Sequence, residues 1–130
     1  MDMDYLAKWD TRFRWTGRII SALPLFLLLF SATMKLLQPE GVAAGFEHLG
    51  WSVSQATGLA LLEIACVVVY LIPRTALLGA ILLTGYLGGV IATHVRVGDS
   101  SFVPIMIAIL LWGGLYLRDS RLWVMLPVRR

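Results

Sequence analysis

The chain has 130 residues, of which 58% are hydrophobic and only 15% charged, and its mean hydropathy is +0.79. Soluble domains carry about a quarter charged residues, so the composition excludes a soluble globular domain and indicates a membrane protein. The net charge of +3 reflects contact with anionic headgroups and not nucleic acid, because no basic run carries interleaved aromatics.

In chain order, the N-terminal stretch sets Tyr5 or Leu6, Trp9 and Phe13 on one helical face with Lys8 and Arg12 near it, as in a segment lying on a membrane surface. The first apolar run predicts a membrane span over residues 19–37. A basic region before an apolar run also opens a secretory signal. No Ala-x-Ala-like site follows Phe30, however, and the run is long, so a span is the reading. Pro24 removes a backbone donor inside it and predicts a kink.

The next stretch, "QPEGVAAGFEHLGWS", repeats apolar residues at Val42, Phe46 and Leu49. That spacing predicts a short amphipathic helix over residues 40–49 on the outer interface, opened by Pro39, ended by Gly50 and anchored by Trp51. Ser52 and Gln55 match a capping box for a second span over residues 54–72. Pro73 and Arg74 allow only a tight helix hairpin before a third span over residues 75–97. A second tight connection, residues 98–101, leads to a fourth span over residues 102–118. Each span is close to the roughly 20 residues that cross a hydrocarbon core of about 30 Å at about 1.5 Å per residue. Strands of a β-barrel would alternate polar and apolar, and these do not. The fold class read from the sequence is all-α, a single domain forming an integral membrane four-helix bundle with antiparallel neighbours.

Orientation follows from the basic residues. Lys8, Arg12, Arg14, Arg18, Arg74, Arg118, Arg121, Arg129 and Arg130 fall on one side of four crossings, and Lys35 and Arg96 on the other. Basic loops stay inside, which predicts both termini in the cytoplasm. Gly85 and Gly89 form a GxxxG in the third span, and Gly113 and Gly114 offer a similar flat spot in the fourth. Packing within the bundle is the favoured reading of both, with a homodimer seam as the alternative. Trp15, Trp112, Tyr116 and Trp123 sit where interfacial belt residues would.

The polar residues are unevenly distributed. Glu63 lies about nine residues into the second span, roughly 13 Å below the outer boundary. Lys35, His94 and Arg96 end the first and third spans on the same side, below Glu47, His48 and Asp99. An unpaired carboxylate near mid-bilayer is costly, so Glu63 must be protonated, paired or turned to a wet cavity. Its helical neighbours Leu59, Ala60, Cys66, Val67 and Tyr70 form a face suited to protein rather than lipid. A structural lock to His94 or Lys35 and a ligand or proton site are equally weighted readings of Glu63. Lys35 is expected to snorkel to the interface, and Arg96 to meet Asp99 or a headgroup. Thr84 and Thr93 are expected to bond back to their own helix. Cys66, the only cysteine, excludes an internal disulfide and a Cys-x-x-Cys pair, and is read as packing. No metal-ligand spacing, flavin fingerprint or haem-type His pair is present.

The order "FSATMKLLQP", "LLEIACVVVYLIPRTALLGAILLTGYLGG" and "THVRVGD" over roughly residues 19–118 closely resembles the DoxX-like family of small bacterial membrane proteins. The family's recurrent polar positions fall on Lys35, Glu63, His94 and Arg96. The resemblance implies a bacterial inner-membrane location and a link to quinone-related oxidation and membrane oxidoreductase complexes.

Three functions are compatible with these residues. In the first, a quinone or similar lipophilic molecule enters laterally, His94 donates to its carbonyl and Glu63 handles the proton. An oxidoreductase partner subunit would supply the redox centre, since the chain has none and is not expected to be an enzyme on its own; no covalently bound cofactor is expected. The second is a small proton-coupled transporter or dimeric permease using Glu63 and His94. The third is a structural or assembly subunit. The first is favoured, with membrane lipid and a lipophilic ligand as the expected contacts.

Overall fold

The computed structural model describes residues 3–119 and 122, with side chains described for residues 11–119 and 122. Tyr5, Leu6, Lys8 and Trp9, and at the other end Arg121, Trp123, Arg129 and Arg130, lie outside the described side chains. Five α-helices and no strand are present among the described residues. They are α1 (Met3–Leu37), α2 (Val42–His48), α3 (Ala56–Leu71), α4 (Ala76–Arg96) and α5 (Phe102–Arg118). A single 3₁₀ turn, Val53–Gln55, leads into α3.

Where the sequence suggested a surface segment followed by a span, α1 is one continuous helix of 35 residues that contains Pro24. Helical propensity carries through because residues 11–23 contain no other breaker than Gly17. Thr11–Leu37, Val53–Leu71 and Ala76–Arg96 are long and apolar enough to cross a membrane. α5 is apolar but shorter, 17 residues or about 25 Å. Ile19, Leu23, Phe26 and Phe30 recur along one face of α1 and are exposed, as lipid-facing residues are.

α1 packs against α3 and α5, and α4 packs against the same two helices. Ser21, midway along α1, meets Tyr70, late in α3, whereas Lys35, late in α1, meets Glu63, midway along α3, so the two helices run antiparallel. The backbones approach closely at two places. Gly17 and Gly114 face each other between α1 and α5, with Ser21 also against Gly114. Gly79 lies against the backbone of Tyr70 across the α3–α4 hairpin. Without a hydrophobic drive between helices in lipid, such small-residue contacts and interhelical hydrogen bonds hold the helices together. Tyr70, fully buried, bonds to Ser21 Oγ at 3.0 Å and donates to the Leu111 carbonyl at 2.7 Å, joining α1, α3 and α5. The Arg118 guanidinium stands 4.8 Å from the Tyr70 ring centroid. Trp112 Nε1 donates to Thr84 Oγ1 at 2.7 Å, joining α4 and α5, while Thr84 bonds back to Ala80 as expected.

The GxxxG of α4 does not pack. A Cβ added at Gly85, Gly88 or Gly89 would meet nothing within 4 Å, and the same holds for Gly113. The close contacts fall instead to Gly17, Gly79 and Gly114. Absence of side chains on α4 leaves space, and that space belongs to the site described next.

Candidate functional site

Two helix ends set the geometry. α4 ends with Gly98 at φ +80, the Gly98 amide bonded to the Val95 carbonyl and the Asp99 amide to the His94 carbonyl. α2 ends in the same way on Gly50 at φ +81, with Gly50 bonded to Glu47 and Trp51 to Phe46. Both are Schellman motifs, in which a left-handed glycine satisfies the last carbonyls. The first places His94 in the last turn of α4 and Asp99 just beyond it. The second turns the chain so that α2 lies over the ends of the longer helices.

α2 begins at Val42 after the left-handed Gly41, and not at Pro39. Val42, Phe46 and Leu49 are half-buried while the other residues of this segment are exposed, in agreement with the apolar spacing. At the start of α3, Ser52 Oγ accepts from the Ser54 amide at 3.4 Å while the Gln55 amide bonds to the Ser52 carbonyl, so Ser52 caps the turn but the expected capping box with Gln55 does not form.

Beneath α2 is a cavity of about 740 Å³. Its wall is largely apolar, with Leu27 and Leu28 of α1, Leu59 and Leu62 of α3, Val90 of α4 and Val103, Pro104 and Ile107 of α5. Phe46, Leu49 and Trp51 form its side toward α2. Gly85 and Gly89 line it too, which accounts for the open space beside them.

Into this apolar wall is set a polar cluster. Lys35 Nζ lies 2.9 Å from Glu63 Oε2, and the side chains are 17% and 1% exposed. Lys35 also donates to Ser31 Oγ at 2.5 Å, and Tyr86 donates its hydroxyl to the same Glu63 Oε2 at 3.2 Å. Glu63 thus joins α1, α3 and α4, and the expected choice between His94 and Lys35 falls on Lys35. The ammonium does not snorkel: a buried carboxylate one helix away offers it a stronger partner than the interface. Each ion in such a pair loses solvation, and the bond that Lys35 gives to Ser31 and the one that Glu63 receives from Tyr86 offset part of that loss.

His94 lines the cavity but does not bond to Glu63. Its Nδ1 is 2.8 Å from the Val90 carbonyl, one turn back in its own helix. A carbonyl only accepts, so Nδ1 carries the proton of the neutral ring, and the Nε2 left over is an acceptor. Neutral His94 therefore cannot give the bond to a ligand carbonyl that its position in the sequence suggested.

A family comparison covers this site entirely. The DoxX-like family matches residues 19–114, a stretch that includes Ser31, Lys35, Glu63, Tyr86 and His94. The chain belongs to the DoxX-like family. No curated protein and no solved structure matches it. With its long apolar helices, this DoxX-like chain is a multi-pass membrane protein.

Of the four positions singled out in this DoxX-like sequence, Lys35, Glu63 and His94 come together on one cavity and Arg96 does not. Arg96 is exposed, donates from Nη2 to the Leu49 carbonyl and lines a separate, shallower recess with Gly50, Trp51 and Gln55. Its expected partner Asp99 is taken by His48, with Oδ2 and Nε2 2.8 Å apart. These two contacts tie the end of α2 to the end of α4. Ser31 and Tyr86 are the site residues that sequence reasoning missed. Tyr86 stands two turns before His94 on α4 and so shares a face with it, which is the one signal that pointed to it. No group of three or more His, Cys, Asp or Glu able to hold a metal exists among the described residues.

Proposed function

We propose that this DoxX-like protein binds a lipophilic small molecule, quinone- or lipid-like, in the cavity beneath α2. It is an accessory to membrane redox chemistry in the bacterial inner membrane, not an enzyme by itself. In this reading α1, α3, α4 and α5 are four crossings with antiparallel neighbours, α2 is an amphipathic helix on the outer interface, and both termini are cytoplasmic. The observation that carries the reading is the cavity: about 740 Å³ of mostly apolar space around one buried ion pair. Ligand sites have this size and composition, with few polar groups that fix orientation.

The distribution of Lys and Arg supports the orientation. In this reading the redox centre belongs to a partner subunit. The structural alternative has one observation in its favour, namely that the Lys35–Glu63–Tyr86 cluster links three helices. A pure lock, however, needs no cavity beside it. Native mass spectrometry of the protein in mild detergent tests the reading. A bound lipophilic molecule in the wild type, lost in Glu63→Gln and in His94→Ala while both stay folded, is the expected result. Equal retention in all three contradicts a site at these residues.

A further inference from the structure

Several donors of the cavity wall already have partners within the protein. His94 Nδ1–H is spent on Val90, the Tyr86 hydroxyl on Glu63, and the Thr93 hydroxyl on the Gly89 carbonyl at 2.8 Å. Two of the three Lys35 protons go to Ser31 and Glu63. On the acceptor side, both donors to Glu63 use Oε2, and Oε1 has no partner among the described residues. His94 Nε2 has none either. A half-buried acceptor left without a donor is a cost that a ligand can remove.

We infer that the ligand of this cavity carries a hydroxyl on an apolar body, and that the hydroxyl donates to His94 Nε2. The inference rests on the proposed ligand-binding reading and narrows it to one chemical class. A hydroxyl donates one hydrogen bond, so it serves Nε2. A ketone or an ether of the same shape only accepts. Placed against Nε2, it sets a lone pair against a lone pair and leaves Nε2 unpaired. Of a quinone couple, only the dihydroxy form can donate to Nε2. Phenols and long-chain alcohols fit for the same reason, and the volume accommodates a chain or ring system behind the polar end.

The experiment uses the full-length protein in lipid nanodiscs with three probes of nearly equal shape: 4-octylphenol, its methyl ether and 4-octylbenzaldehyde. Binding is measured against Gly89→Leu, whose side chain enters the cavity, as the baseline for partition into lipid. The phenol is expected to bind about tenfold more tightly than the other two, the difference for one unpaired buried acceptor. In His94→Phe, which keeps a ring and removes the acceptor, that preference is expected to vanish while the ether binds as before. Ether or aldehyde binding as tight as the phenol in the wild type overturns the inference and leaves the cavity reading standing; this comparison needs no variant at His94. A preference that survives His94→Phe also overturns it. Binding of none of the probes above the Gly89→Leu baseline overturns the cavity reading itself, and the inference with it.

Discussion

Lys35 and Glu63 are 28 residues apart in sequence, on different helices, yet their charged atoms meet at 2.9 Å, with the Glu63 side chain almost fully buried. Removing either partner leaves the other charge in a low-dielectric site. Glu63→Gln is expected to cost about 1 to 3 kcal/mol. Lys35→Met is expected to cost no less, because the ammonium is committed to Glu63 and is not free to leave. The double variant is expected to be more stable than the sum of the two losses implies, which melting in detergent measures as a coupling between the sites. Additive losses would mean that the two charges do not act as a pair.

Tyr70 offers the complementary test, since it holds α1, α3 and α5 together and does not line the cavity. Tyr70→Phe deletes the bonds to Ser21 and Leu111 and is expected to lower stability by about 0.5 to 1.5 kcal/mol. Ligand retention should be unaffected. A variant that melts normally but loses ligand would place Tyr70 in the site.

Arg96 and His48 fasten the α2 segment to the end of α4, and both are solvent-exposed. Such exposed contacts contribute at most about 1 kcal/mol to global stability. Arg96→Ala combined with His48→Ala is therefore expected to leave the melting temperature nearly unchanged while amide exchange over residues 42–50 accelerates. Unchanged exchange there would show that Phe46 and Leu49 alone hold the segment in place.

Orientation is testable without any ligand. With both termini in the cytoplasm, a C-terminal alkaline phosphatase fusion is expected to be inactive and a C-terminal green fluorescent protein fusion bright. The reverse pair of results inverts the topology.

Helix count and the polar cluster were legible because both depend on single-residue facts. A run without charges can only be buried or in lipid, and the one carboxylate within such a run must be compensated somewhere. Glu63 was therefore visible, as were Gly50 and Gly98, whose left-handed backbones end α2 and α4. What remained hidden depends on which helix stands opposite. The Gly85–Gly89 pattern permits close packing but does not supply the partner, and in the structure it borders empty space while Gly17 and Gly114 make the contact. Tyr86 was passed over for the same reason: a tyrosine in an apolar helix acquires its role only when Glu63 of α3 is set beside it. Lys35 is the sharper lesson, since a lysine near a helix end can snorkel or pair, and the choice is made by a carboxylate far away in sequence.

The central claim is that the space beside Gly89 holds a ligand, and blocking that space tests it most directly. Nothing lies within 4 Å of a Cβ built at Gly89, so Gly89→Leu is expected to fold and melt like the wild type. Native mass spectrometry of the two proteins, prepared in parallel, should find a lipophilic molecule bound to the wild type and none bound to Gly89→Leu. The same molecule retained equally by both would contradict a binding site in this cavity.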